Sequence, residues 1–160
     1  MHLHKYEKYW LMFGIGSLII FLLITGLMAL NNSHETPNSQ KTINPEKVSE
    51  IAPFNKPGVY KVAGKHWDYE VVVVASAFLY EPSEIKIPVN SKVKFIATSK
   101  DVVHGFEIAK TNINMMLEPG HISEYTTTVN KKGEFLVVCN EYCGMGHAEM
   151  HATLKVVDSK

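Results

Sequence analysis

The residues with the most specific chemistry lie in one short segment near the C-terminus. Residues 139–150 read CNEYCGMGHAEM and supply two cysteines, a histidine and a methionine: Cys139, Cys143, His147 and Met150. Thiolate and thioether sulfurs are soft ligands that select copper, and a site of cysteine, histidine and a weak axial methionine is typical of electron-transfer copper proteins. The segment therefore predicts a copper site. It directly follows EFLVV, a predicted strand whose end would hold the first ligand.

A second imidazole is expected from further upstream. His104 stands in KDVVHGFEI, 35 residues before Cys139. Copper-binding Greek-key barrels take one histidine from an upstream strand and their other ligands from a single late loop. A lone histidine in a β-rich sequence is more often structural, but the downstream cluster favours a ligand role for His104.

The second cysteine bears on the number of metal ions. A mononuclear blue-copper site needs one cysteine, whereas Cys139 and Cys143, together with two histidines and a methionine, can bridge two copper ions. Five side chains leave one copper without a weak axial ligand, and the backbone carbonyl of Glu141 can fill that position. The alternatives are a disulfide, a structural zinc site and a thioredoxin-like copper chaperone. The disulfide leaves His147 and Met150 unexplained, zinc sites have no use for methionine, and the chaperones need a βαβ background.

Composition excludes several other functions. The 160 residues include 16 lysines, no arginine and 16 acidic residues, for a formal net charge of zero. A nucleic-acid-binding protein needs a basic face to neutralise phosphates, so no nucleic-acid partner is expected. No arrangement of general acid, general base and nucleophile stands out, so we expect electron relay rather than bond chemistry in this chain.

The N-terminal part of the chain predicts a membrane anchor. Residues 10–30 carry no charge, and 21 residues make a helix of about 30 Å, the thickness of the hydrocarbon core. A cleaved signal peptide is the alternative, but its apolar region is about 7 to 15 residues long. Lys5 and Lys8 precede the run, which places residues 1–9 in the cytoplasm and the rest of the chain outside.

The remainder divides into a polar linker, residues 31–57, and a β-rich domain, residues 58–160. Short β-type runs separated by turn residues, with no long helical period, predict an antiparallel sandwich or Greek-key barrel. The predicted strands are residues 69–78, 84–87, 92–98, 105–109, 123–129, 134–139 and 153–157.

In these residues the chain resembles subunit II of haem-copper cytochrome c oxidases of the binuclear copper (CuA) type. The resemblance covers the apolar span and, more tightly, residues 69–157. The resemblance rests on the ligand spacing of CNEYCGMGHAEM and on the run HGF around His104. A single predicted span, with the runs ASAFLYEP, DVVHGF and TNIN, resembles a compact bacterial branch of the family.

The resemblance implies a cupredoxin-like fold and a defined set of site residues. Two copper ions would be held by His104, Cys139, Cys143, His147, Met150 and the carbonyl of Glu141. The carboxylate of Glu141 would bind magnesium, as in the longer oxidases, or would be a solvated or interface-paired acid. Phe78 and Tyr80 would belong to the surface that faces the electron donor, with burial in the core as the alternative.

The resemblance also implies a function and partners. The chain would be the electron-accepting subunit of a terminal respiratory oxidase in a prokaryotic plasma membrane. Electrons would come from cytochrome c and leave for haem in subunit I, where O2 is reduced to water and protons are pumped. Quinol-oxidising relatives have lost the copper ligands, so their presence implies a cytochrome c donor. The alternative function is a free-standing, membrane-anchored copper-binding or electron-carrier protein.

Overall fold

The computed structural model describes residues 4–31 and 38–158. The chain divides into two compact units, Met1–Glu35 and Thr36–Lys160. The first three residues of the predicted cytoplasmic segment and residues 32–37 of the predicted linker lie outside the described part of the chain.

The first unit contains one helix, α1, over Lys5–Asn31. Its apolar stretch, Lys5–Met28, is long and hydrophobic enough to cross a bilayer. The Ser17 hydroxyl donates to the carbonyl of Gly14, and the Thr25 hydroxyl donates to the carbonyl of Phe21, each at a distance of 2.8 Å. These bonds satisfy the two polar side chains without water, as a lipid environment requires. The helix contains the whole of the predicted span, residues 10–30, and is a candidate transmembrane helix.

The second unit is built from β-strands. In chain order they are β1 (Asn38–Thr42), β2 (Gly58–Lys61), β3 (Tyr69–Ser76), β4 (Leu79–Glu81), β5 (Glu84–Pro88), β6 (Ser91–Ser99), β7 (His104–Ile108), β8 (Asn114–Leu117), β9 (His121–Val129), β10 (Gly133–Val138) and β11 (His151–Val157). One sheet has the order β1-β9-β6-β3-β2, with β4 paired to β3, and the other has the order β5-β11-β10-β7-β8.

The two sheets pack face to face, as the predicted cupredoxin-like sandwich requires. Their inner faces share one apolar core, to which Val71, Phe95, Phe106, Val137 and Leu154 contribute. The expectation of a purely antiparallel arrangement is wrong, because β3 runs parallel to β6 and β5 runs parallel to β11. Alternation and turn residues predict strands but carry no information on the direction in which distant strands pair.

The continuous valine run in β3 is buried on both faces of its sheet. Val71 and Val73 point into the core between the sheets, whereas Val72 and Val74 meet a second apolar cluster that includes Phe54. A strand in the middle of a sheet that is covered on both sides has this continuous apolar pattern. A continuous apolar run of this kind indicates burial on both sides, and the structure shows that burial.

The cover on the outer face comes from the segment that was predicted to be a linker. Residues 38–42 form β1, which pairs with β9, and Ile43, Val48 and Phe54 are buried against the valines of β3. Residues 38–57 are therefore part of the β-domain, whereas Asn31 belongs to α1, which corrects the predicted boundary at residue 58. The three apolar residues show neither a strand nor a helix period, so the sequence pattern does not reveal their burial.

Candidate metal centre

The ends of three neighbouring strands bring the predicted ligands together. His104 is the first residue of β7, Cys139 follows the last residue of β10, and Met150 precedes β11. Strand β10 pairs with β7 on one side and with β11 on the other. His104, Cys139 and Met150 therefore meet at one end of these strands, although they are far apart in the chain. The loop after β10 supplies Cys143 and His147.

The donor atoms of these side chains lie within a few ångströms of one another. The two sulfurs, Cys139 Sγ and Cys143 Sγ, are 3.8 Å apart. Cys139 Sγ lies 4.0 Å from His104 Nδ1 and 3.1 Å from the carbonyl oxygen of Glu141. Cys143 Sγ lies 3.6 Å from His147 Nδ1 and 3.7 Å from Met150 Sδ. Each sulfur thus has one imidazole nitrogen and one weaker donor beside it.

These distances fit metal ligation. Two donors bound to one tetrahedral metal through bonds of about 2.0 to 2.3 Å lie about 3.3 to 3.8 Å apart. The observed separations of the two sulfurs and of the Cys143 and His147 donors are 3.8 and 3.6 Å. A disulfide has sulfurs about 2.05 Å apart, and both cysteines are free thiols here. The donor set of two thiols, two imidazoles and a thioether suits copper.

The site is enclosed by protein. His104, Cys139, Cys143 and Met150 are buried, whereas His147 is half-buried. Burial, together with the neighbouring Cys139, raises the pKa of the Cys143 thiol to about 11. In a buried site, two thiolates this close repel each other strongly. Positive charge between them would offset this repulsion, and a bound metal ion supplies such charge.

An acidic residue holds the outer side of one predicted ligand. Asp101 Oδ1 lies 2.8 Å from His104 Nε2, and the same carboxylate accepts hydrogen bonds from the backbone N–H groups of Ala77 (2.6 Å) and Val102 (2.7 Å). Burial alone would raise the pKa of Asp101, but these hydrogen bonds hold the pKa below its ordinary value. The ionised carboxylate fixes His104 with Nδ1 turned towards Cys139, as metal-binding histidines require.

Phe78 and Tyr80 do not share one surface. The ring of Phe78 is 37% exposed, whereas Tyr80 is only 2% exposed, so the prediction of a surface position for Tyr80 is wrong. Phe78 lies in the turn between β3 and β4, whereas Tyr80 lies within β4, between the exposed Leu79 and Glu81, and faces the core. The Tyr80 hydroxyl donates to the carbonyl of Gly105. Burial and the nearby Cys139 raise the pKa of Tyr80 above its ordinary value.

Glu141 contributes its backbone to the site. Its carbonyl oxygen is the group that faces Cys139, and the residue is half-buried. A role of its carboxylate in binding magnesium stays a prediction.

Sequence reasoning missed the residues that support the predicted ligands. Asp101 and Gly105 are near His104 in the chain, and Asn140 lies within the motif itself. Asp101 stands three residues before His104, and an acid close to a ligand histidine is the one signal that points to this role. Nothing in the sequence shows that Gly105 packs directly against Asn140.

Comparisons with known proteins agree with this geometry. Residues 68–157 match the family described as cytochrome c oxidase subunit II, periplasmic domain. A cytochrome c oxidase subunit 2 from Thermus thermophilus is 36% identical over 153 residues, which cover 94% of this chain and 91% of the relative. A second subunit 2 from Thermus thermophilus is 38% identical over 114 residues, 71% of this chain and 84% of the relative.

Solved structures are similar over the same regions. The chain is similar to one from a haem-copper terminal oxidase dimer, with a TM-score of 0.71, 29% identity, and coverage of 95% of this chain and 99% of the other. The periplasmic domain of cytochrome oxidase subunit II from Bradyrhizobium japonicum has a TM-score of 0.54 at 21% identity, covering 59% of this chain and 87% of that domain. The second similarity supports the fold alone.

Proposed function

The chain belongs to the subunit II family of cytochrome c oxidases, and from this premise we propose that it holds two copper ions and accepts electrons from cytochrome c. As subunit II of a haem-copper oxidase it takes part in electron transfer within a terminal oxidase. The proposal concerns the finer points, which are the number of copper ions, the ligands, the electron donor and the partner that receives the electrons.

The observation that carries the proposal is the paired arrangement of donors around the two sulfurs. Cys139 has His104 and the Glu141 carbonyl beside it, and Cys143 has His147 and Met150 beside it. A single electron-transfer copper takes two histidines and one cysteine, which would leave the other cysteine without a metal. The two sets, with sulfurs 3.8 Å apart, would hold two copper ions through both thiols, both imidazoles, the Glu141 carbonyl and the Met150 thioether.

The residues of this chain would hold the copper pair with little freedom to rearrange. When bound, the pair supplies one-electron redox chemistry. His104 and Cys139 stand at the ends of β7 and β10, whose pairing fixes the distance between them. Asp101 orients the His104 ring, and the burial of Met150 and both cysteines keeps water away from the sulfurs. A rigid, dry site lowers the reorganisation that accompanies a change of charge.

The same premise supports partners and a location. We expect α1 to anchor the chain in a prokaryotic plasma membrane, with the N-terminus in the cytoplasm, as Lys5 and Lys8 favour, and the copper domain outside. Electrons would leave for haem in subunit I, which carries out the reduction of O2 to water coupled to proton pumping. Phe78 is an exposed aromatic residue beside the metal loop and is our candidate for contact with cytochrome c. Glu141 is the candidate magnesium ligand.

Copper counting in the membrane complex tests the proposal. The complex is purified with the wild-type chain, with Cys139 and Cys143 both changed to Ser, and with the control His151→Ala. His151 is adjacent to Met150 but is exposed, and its Nδ1 contacts the carbonyl of Glu149. We expect the double variant to lose two copper atoms per complex, together with oxidation of reduced cytochrome c, and the control to lose neither.

Other results would contradict specific parts of the proposal. A loss of one copper atom would contradict the binuclear centre. Purification of the wild-type chain without a haem-bearing partner would favour the free-standing copper protein. An undiminished rate of cytochrome c oxidation in the double variant would contradict the assignment of the electron route.

A further inference from the structure

We propose that Tyr80 is a positioning residue of the metal centre, which holds Gly105 so that the N–H group of Gly105 donates a hydrogen bond to the sulfur of Cys139. The inference rests on the proposed function, because it concerns how a copper ligand is tuned. It assigns to Tyr80 a role inside the site in place of the surface role expected from sequence.

The contacts form a chain of two hydrogen bonds that ends on a predicted copper ligand. The Tyr80 hydroxyl donates to the carbonyl oxygen of Gly105. The N–H group of Gly105 lies 3.4 Å from Cys139 Sγ, within the range of an N–H to sulfur hydrogen bond. Tyr80 and Cys139 are both buried, so water does not compete for these groups.

The position of Gly105 in the sheet explains why it needs these partners. The register between β7 and β10 runs through Val137↔Ile108 and Val138↔Glu107 and then stops. Gly105 lies just beyond this point, where β10 has ended and the metal loop has begun. Its N–H and C=O groups therefore have no strand to pair with on that side, and the Cys139 sulfur and the Tyr80 hydroxyl take the place of the strand.

On the side where β10 has ended, Gly105 has no side chain with which to fix its orientation, whereas on its other side it pairs with Met116 of β8. A Cβ atom at this position would lie 2.7 Å from the backbone nitrogen of Asn140 and 1.8 Å from its Oδ1 atom, so a side chain is excluded. Glycine is also the residue with the greatest backbone freedom. Tyr80, by contrast, is well anchored, because its ring packs edge-on against Phe106 with the ring centroids 5.5 Å apart. The anchored Tyr80 side chain therefore fixes the position of Gly105 on the side where β10 has ended.

Hydrogen bonding to a metal-bound sulfur changes the chemistry of the metal. An N–H donor withdraws electron density from the thiolate, and such bonds tune the reduction potential of copper sites. Tyr80→Phe keeps the aromatic ring and its packing but releases the Gly105 carbonyl. We expect the N–H to sulfur bond to weaken, so that the sulfur donates more electron density and the midpoint potential of the copper centre falls.

The test measures the midpoint potential and the sulfur-to-copper charge-transfer absorption in the purified oxidase complex. Tyr60→Phe is the matched control. The Tyr60 hydroxyl also donates to a backbone carbonyl, that of Lys56, at a distance of 2.5 Å, but this contact lies in an exposed region of the chain. We expect Tyr80→Phe to lower the potential and shift the absorption at unchanged copper content, and Tyr60→Phe to match the wild type in both.

Each outcome bears on the inference. A wild-type potential and spectrum in copper-loaded Tyr80→Phe would overturn it, and so would an equal change in Tyr60→Phe. If Tyr80→Phe does not load copper, the test uses 3-fluorotyrosine at position 80 instead. Its side chain has nearly the same shape as tyrosine, and its hydroxyl is a stronger hydrogen-bond donor. A raised potential then supports the inference, and an unchanged one overturns it. Absence of copper from this chain in the wild-type complex would instead contradict the proposed function.

Discussion

Asp101 and His104 are joined through the imidazole nitrogen that points away from the sulfurs. Asp101 Oδ1 lies 2.8 Å from His104 Nε2, and His104 Nδ1, on the other side of the ring, lies 4.0 Å from Cys139 Sγ. An ionised carboxylate makes Nε2 the protonated nitrogen and leaves the lone pair of Nδ1 free for a metal. The Asp101 carboxylate is fixed in turn by the backbone of Ala77 and Val102, so the orientation of the ligand is built into the fold.

We therefore expect Asp101→Ala to weaken copper binding without unfolding the domain. Loss of such a partner of a ligand histidine costs about 10- to 100-fold in metal affinity. Competition with a copper chelator measures this affinity. Asp68→Ala is the matched control, because Asp68 also accepts a hydrogen bond from a backbone N–H group, that of Lys92 at 2.8 Å, but belongs to another part of the sheet. Equal affinities in the two variants would rule out the orienting role of Asp101.

The thiol of Cys143 lies between the second imidazole and the thioether, so its loss is expected to affect the number of metal ions. Replacement by serine removes a soft ligand, which in our proposal bridges the two ions, and leaves a hydroxyl, which is a poor ligand for copper. We expect Cys143→Ser to hold one copper ion or none. Electron paramagnetic resonance and metal analysis of the complex are the readouts. A spectrum that still shows one electron shared equally by two copper ions would refute the bridging role.

The proposed ligand set could be read from the sequence because four of its five side chains fall within twelve residues. Their order and spacing alone carry the chemistry, and His104 is the one distant addition. The supporting residues could not be predicted, because their roles depend on three-dimensional contacts. Tyr80 and Gly105 are 25 residues apart, and although Gly105 belongs to the run HGF around His104, nothing in that run points to Tyr80. Aromatic residues in strands occur in cores and at surfaces alike, which is why the position of Tyr80 was predicted wrongly.

The strands were predictable where the pattern was strong. The valine run of β3 and the alternation in β6 mark central strands, and both were found at nearly the predicted positions. By contrast β1, β4 and β8 have three to five residues each and too few positions to show a period. The burial of Phe54 is a tertiary effect, since it depends on the outer face that Val72 and Val74 present.

The role of Phe54 gives a test of the corrected domain boundary. Phe54 is 2% exposed, and truncation of a buried phenylalanine costs about 3 to 5 kcal/mol. We expect Phe54→Ala to lower the free energy of unfolding by such an amount, as measured by denaturant titration of the full chain in detergent. Ile51→Ala, at a neighbouring residue that is 38% exposed, should change it by about 0.5 kcal/mol or less. A linker without contacts would give equally small effects for both.

Glu124 provides a test of pH dependence at a site far from the metal ligands in sequence. Its carboxylate contacts Lys41 at 2.7 Å and Lys94 at 2.9 Å. Burial alone would raise the pKa of Glu124, but the hydrogen bonds from the two lysines hold the pKa below its ordinary value. The ionised form is thus favoured by folding. Its contribution to stability is complete above the ordinary carboxyl pKa and is lost as the pH falls through the lowered pKa of the folded protein.

Glu124→Gln should therefore destabilise the protein at neutral pH, by about 1 kcal/mol, and match the wild type at a pH below the lowered pKa. Denaturant midpoints of both proteins across this range measure the difference. Asp158→Asn is the control, because Asp158 pairs with Lys132 at 2.5 Å but both side chains are mostly exposed. A constant difference between Glu124→Gln and wild type at every pH would exclude a contribution from the charge.

Phe78 and the metal loop are packed so closely that the loop needs glycine. A Cβ atom on Gly146 would lie 2.4 Å from Phe78 Cδ2, and one on Gly144 would lie 3.0 Å from Phe78 Cε1. Gly144 also has a φ of +129°, which side chains rarely adopt. The ring of Phe78 thus covers the segment between Cys143 and His147, and the two glycines leave room for it.

We expect Gly146→Ala to displace the ring or the loop, and so to speed the loss of copper to a chelator. If the clash with Phe78 is the cause, the double variant Gly146→Ala, Phe78→Ala should retain copper better than Gly146→Ala alone, because the added methyl group then occupies the space of the ring. Phe78→Ala by itself gives the baseline for loss of the cover. Double-mutant analysis of the dissociation rates isolates the coupling between the two positions. Effects that simply add would mean that the alanine acts through the loop backbone, and that Phe78 does not control the shape of the loop.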